Sequence, residues 1–125
     1  MLLRYLRRFP HPLHGLFRSF VTDFSFRMQV YLGLVVLGSV AYWWQPLSKT
    51  ELLFLVLGWL LVLITELQNS ALEHALDQLH PGKSEAIGRS KDISAAAVLL
   101  AGLFLLLVVL LLGADRLDVA TLLLG

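Results

Sequence analysis

The chain of 125 residues has no cysteine. Disulfides, thiolate metal sites and a thiol nucleophile are therefore excluded, and no redox compartment can be read from it. Charge is scarce as well: Asp, Glu, Lys and Arg make up 15% of the residues, against about 25% in an ordinary soluble domain. No GxxxxGK[ST] sequence occurs, which rules out a conventional phosphate-binding loop. The four histidines, His11, His14, His74 and His80, lack metal-ligand spacing; His74 is expected to face solvent or lipid headgroups. Internal repeats are absent. The first arginines are followed by Phe, Pro and His rather than by a compact apolar stretch with a small-residue cleavage site, so no signal peptide is expected and residues 1 to 28 should be retained.

Apolar residues are what the chain has in excess, at 58%. Residues 95 to 113 read AAAVLLAGLFLLLVVLLLG without one charge. At about 1.5 Å per residue this run nearly covers a hydrocarbon core of roughly 30 Å. Two further runs, 28 to 44 and 51 to 66, give three expected spans. The second is short by itself and is expected to continue as a helix to about residue 80. The expected fold is all-α: three transmembrane helices in one domain, preceded by an amphipathic surface helix.

That surface helix is expected over residues 1 to 27, where apolar and basic positions interleave as in a helix lying on a membrane, with Pro10 and Pro12 interrupting it. Five arginines (4, 7, 8, 18 and 27) precede the first span, and Lys83, Arg89 and Lys91 lie between the second and third. Only Lys49 and Arg116 fall on the other side. The positive-inside rule then puts the N-terminus and residues 66 to 93 in the cytoplasm and the C-terminus outside, with Trp43 and Trp44 as an outer aromatic belt. QPLSKT (45 to 50) reads as a tight outer turn. HPGKS (80 to 84) reads as the cytoplasmic turn, followed by a helix over 84 to 113 that leads into span 3. The tail 114 to 125 carries no evident chemistry.

The polar exception is TELQNSALEHALDQ, residues 65 to 78. At 100° per residue Glu66, Asn69, Ser70, Glu73 and Asp77 lie within about 60° of one direction, forming a single polar stripe. A charge at the centre of a span costs roughly 2.5 to 3.5 kcal/mol, and stacked carboxylates repel, so cations should answer them. Lys91, Arg89, the N-terminal arginines or a divalent metal could do so. Asp77 alone reads as part of a solvated helix face. In the following helix Glu85, Gly88, Arg89 and Asp92 share a face, and Gly88 would admit a close neighbour. Two such walls over a membrane floor suit an anionic phosphate compound carried with a divalent metal. Gly33, Gly38, Gly58 and Gly102 are expected to allow close helix packing.

The stretch E-L-Q-N-S-A-L-E-H-A-L-D at 66 to 77, with G-R-S-K-D-I-S-A-A-A-V-L-L at 88 to 100, resembles the prokaryotic integral-membrane diacylglycerol kinase family. The resemblance extends to G-L-F-R-S-F at 15 to 20 and T-D-F-S-F-R at 22 to 27, and so covers nearly the whole chain. It implies a homotrimeric kinase of the bacterial inner membrane, in phospholipid metabolism, with active sites shared between subunits. Such a kinase transfers the γ-phosphate of Mg-ATP to diacylglycerol, giving phosphatidic acid, or in related members to undecaprenol. By the same resemblance Glu73 is the catalytic base and a Mg2+ ligand, and Asp23, where the family usually carries Glu, is the second ligand. Glu66, Asn69 and Ser70 would position the site. Arg4, Glu85, Gly88, Lys91 and Asp92 would bind or border the nucleotide together with Asp23 and Glu73. No nucleic-acid partner is expected. A reading from another class is a small membrane scaffold or transport subunit whose acidic stripe pairs with arginine or passes cations.

Overall fold

The computed structural model describes residues 1 to 8, 10 to 82 and 84 to 125, without the side chains of Tyr5, Val119, Ala120 and Thr121. Phe9 and Lys83, the latter one of the cations in the charge count, lie outside the described residues. Those that are described form five helices and no strand: α1 (Leu2–Arg8), α2 (Pro10–Thr22), α3 (Phe24–Trp43), α4 (Lys49–Leu79) and α5 (Glu85–Leu124).

Pro10 and Pro12 are the first and third described residues of α2. Asp23 alone separates α2 from α3. Its backbone is extended (φ −100°, ψ 107°), and its carboxylate accepts a hydrogen bond from the Phe26 N–H, capping α3. An aspartate directly before an apolar run favours this geometry, because its short side chain reaches the unsatisfied donors of the first turn.

The helices α3, α4 and α5 are each long and apolar enough to cross a membrane. At about 1.5 Å per residue, the 20 residues of α3 span about 30 Å, the thickness of the hydrocarbon core. The other two overshoot it: α4 has 31 residues, about 46 Å, and α5 has 40, about 60 Å. The polar stripe occupies the overshoot of α4. At its far end α5 does not stop at Gly113 but continues to Leu124, because Ala114 to Leu124 contains no proline or glycine to end it.

Antiparallel α4 and α5 share the most extensive interface, and α3 lies against α4. The core, toward the end of the helices away from the polar stripe, consists of Val40, Leu55 and Val108, surrounded by Trp44, Leu47, Phe104 and Leu112. Two glycines set the helix separations. A Cβ on Gly33 would fall 1.9 Å from Nε1 of Trp59, and one on Gly58 would fall 3.2 Å from the Leu105 Cα. Gly38 and Gly102, expected to serve the same purpose, face open space; they lie on exposed helix surfaces. Leu99, Leu100 and Leu110 are similarly exposed on α5, as lipid-facing side chains are.

At the end of the helices away from the polar stripe, the α3–α4 turn is tied to the far part of α5. Ser48 and Glu51 form a reciprocal capping box at the start of α4. Arg116 meets Glu51 Oε2 at 2.8 Å and donates to the carbonyls of Trp44 (3.3 Å) and Pro46 (3.1 Å). The 114 to 125 segment, in which the sequence showed no chemistry, therefore has a structural use.

Candidate active site

The polar stripe of α4 meets the α2–α3 corner. Ser70 donates its hydroxyl hydrogen to Asp23 Oδ2, while Asp23 Oδ1 accepts from the Phe26 N–H at 3.2 Å. One turn before Ser70 on α4, Glu66 is only 6% exposed, the one buried polar or charged side chain among the described residues. The carboxylates of Asp23 and Glu73 both lie near enough to act on it electrostatically. Glu66 is thus flanked electrostatically by one acid of its own helix and one of the corner. Asn69, on the same stripe, has its Oδ1 atom buried without a hydrogen-bond partner. Such an oxygen can only accept, so it calls for a donor or a cation.

The corner holding Asp23 is heavily constrained. Its N–H donates to the Ser19 carbonyl at 2.8 Å, and its own carbonyl accepts from the Arg27 N–H at 3.1 Å. Nη1 of Arg27 reaches back to the carbonyls of Val21 (2.9 Å) and Phe20 (3.3 Å). Phe20 also packs edge-on against Tyr31, and Phe26 is 2% exposed, anchoring the first turn of α3.

Lys91 pairs with Asp77 at 2.5 Å. The cation from α5 therefore answers the last acid of the stripe, the one expected to be merely solvated, rather than Glu66 or Glu73. The pair is partly exposed, at 33% for Lys91 and 61% for Asp77, so water competes with it and its contribution to stability is small. It ties the C-terminal end of α4 to the N-terminal end of α5 and places Lys91 beside the stripe.

The remaining expected site residues are not brought to this cluster by hydrogen bonds or ion pairs among the described residues. Arg4 is exposed on α1, and Glu85, Gly88 and Asp92 are exposed on α5. A Cβ at Gly88 would meet open space, so no neighbour uses the close approach that this glycine would permit. His74 is exposed, as its position beside the stripe implied.

No three His, Asp or Glu side chains among the described residues are grouped closely enough to hold a metal by themselves. The donor set is nonetheless of the right kind for magnesium, which is bound by hard oxygens and usually takes one or two carboxylates plus substrate phosphates and water. Asp23 and Glu73 would supply the carboxylates, and the orphaned Asn69 oxygen would be a further acceptor. Arg27 escaped the sequence reading, which counted it only as a positive charge. The available signal was its position four residues after a capping aspartate, where it can turn back toward the preceding helix end.

Residues 11 to 112 match the family model described as prokaryotic diacylglycerol kinase. Among similar proteins, the diacylglycerol kinase of Haemophilus influenzae is 30% identical over 91 residues, covering 73% of this chain and 75% of that one. The diacylglycerol kinase of Escherichia coli is 30% identical over 99 residues, 78% of this chain and 79% of that one.

Proposed function

The chain belongs to the prokaryotic diacylglycerol kinase family, and from that premise we propose that it is an ATP-dependent lipid kinase making phosphatidic acid from diacylglycerol. The observation that carries this reading is the hydrogen bond that ties Asp23 to Ser70, with Asp23 and Glu73 each within electrostatic range of the buried Glu66, just beyond the apolar part of α4. There a lipid hydroxyl at the headgroup level and a water-soluble nucleotide can reach the same carboxylates.

Phosphoryl transfer requires positioning and charge neutralisation more than covalent help from the protein. Glu73 accepts the proton of the lipid hydroxyl as its oxygen bonds to the γ-phosphorus, the bond from that phosphorus to the bridging β,γ-oxygen breaks, and ADP leaves. The proton then passes to solvent. Asp23 and Glu73 would hold Mg2+, which would neutralise charge on the phosphates. Glu66 and Asn69 position the reacting groups, and Ser70 fixes Asp23. Lys91, already held beside the stripe by Asp77, contacts phosphate oxygens as a point charge. An apolar cleft of about 350 Å³ lined by Gln29, Gly33, Trp59, Val62 and Val98 begins one turn below Glu66 and gives an acyl chain room.

Arg4, Glu85, Gly88 and Asp92 complete the nucleotide site in an assembly of three chains. Two features support this: they stand apart from the Asp23 cluster within one chain, and much of the apolar helix surface is uncovered. In a bacterial inner membrane the N-terminus and the polar stripe face the cytoplasm and the C-terminus faces outward, in keeping with the distribution of Lys and Arg.

The test is phosphate transfer from γ-labelled Mg-ATP by purified protein in mixed micelles containing diacylglycerol and undecaprenol together. Labelled phosphatidic acid is the expected product. Labelled undecaprenyl phosphate instead would assign the alternative substrate of the family. No labelled lipid from folded protein would favour the scaffold reading.

A further inference from the structure

The two-sided hold on the α2–α3 corner has a chemical consequence. A helix leaves its last four carbonyls without partners inside the helix, and at the end of α2 these belong to Ser19, Phe20, Val21 and Thr22. The Asp23 N–H takes that of Ser19. Arg27, from the first turn of α3, takes those of Phe20 and Val21 with a single nitrogen. Its guanidinium carbon lies 5.9 Å from the centre of the Phe24 ring, which limits where the side chain can move. The cation also stands at the negative end of the α2 dipole, where positive charge is favoured.

Asp23 is the only residue between the two helices, so a bridge from α3 to the end of α2 closes a loop around it. Its carboxylate must reach Ser70 on α4 and cap α3 at once, and both depend on the angle at which the helices meet. We infer that Arg27 is a positioning residue for the metal site: by clamping the end of α2 it holds the Asp23 carboxylate against the α4 stripe. This rests on the proposed role of Asp23 as a metal ligand. Arg27 does not itself touch a reacting group; it acts through the geometry of the corner.

The experiment compares wild type, Arg27→Met and Arg27→Lys in lipid–detergent micelles. Mn2+ replaces Mg2+ so that binding can be followed by electron paramagnetic resonance in the presence of a non-hydrolysable ATP analogue, and thermal unfolding is measured on the same samples. Removing a group that orients a metal ligand costs about 10- to 100-fold in metal affinity, so Arg27→Met should weaken Mn2+ binding by about tenfold or more. In turnover assays it should raise the metal concentration needed, with kcat partly recovered at saturating metal. Arg27→Lys, which keeps a charged donor, should recover much of the affinity. Unchanged Mn2+ affinity in Arg27→Met, with only a lower unfolding temperature or a smaller folded fraction, would overturn the inference and leave Arg27 a structural cap. If Arg27→Met does not fold, Arg27→Gln takes its place, with wild-type Mn2+ affinity at a lowered unfolding temperature counting against positioning. Wild type that binds Mn2+ but transfers no phosphate would overturn the kinase reading alone; wild type that binds no Mn2+ would overturn both.

Discussion

Ser70 and Asp23, 47 positions apart in the chain, share a hydrogen bond that joins the middle of α4 to the corner before α3. It is the direct link between the N-terminal helices and the acidic stripe, and it fixes one of the two oxygens of Asp23. Ser70→Ala should therefore leave the fold intact, lower turnover and raise the metal requirement, each by about tenfold. Titration of activity against Mg2+ checks this; loss of activity without a change in metal dependence would count against the link.

Glu73→Gln removes the proposed base while preserving size and hydrogen bonding. Since a positioned general base contributes about 10²- to 10⁴-fold, turnover should fall by at least about 10², with the oligomeric state in detergent unchanged. Turnover close to wild type would show that another group takes the proton.

Gly33 lies directly beneath the Trp59 indole, whose Nε1 donates to the Gln29 carbonyl at 3.3 Å. Gly33→Ala should force this ring aside and destabilise the protein by about 1 to 3 kcal/mol, the usual cost of overpacking. Reversible unfolding in mixed micelles measures the loss. Adding Trp59→Ala should make the glycine substitution nearly neutral, because the clash is then gone.

Arg116 holds the Glu51 carboxylate and two carbonyls of the outer turn. Hydrogen bonds to charged groups are worth about 1.5 to 3 kcal/mol, so Arg116→Ala should lower stability by about that range while leaving metal affinity unchanged. A double-mutant cycle with Glu51→Gln isolates the share of the ion pair. Altered Mn2+ binding in Arg116→Ala would show that the two membrane faces are coupled.

Three apolar helices, the break between α4 and α5 and the polar stripe were all legible in the sequence, because each rests on local pattern: runs of apolar residues, a Pro-Gly pair and a spacing of three and four. Contacts across the chain were not. Nothing in local spacing tells that Ser70 meets Asp23, and only the resemblance to a family put Asp23 in the same site as Glu73. Lys91 was one of several cations the sequence offered to the acidic stripe, and which acid it pairs with depends on how far α4 and α5 overlap at their turn. The four span glycines divided in two for a similar reason. Small residues permit close packing, yet only the rotation of each helix decides which of them face a neighbour.

Because Asp23 is the whole connection between α2 and α3, the corner has no slack. For α2 as a surface helix, its depth in a bilayer and the height of the Asp23 carboxylate along α4 would be one mechanical variable rather than two. A thinner or thicker bilayer would then move that carboxylate along the stripe, making membrane thickness a setting of the site itself.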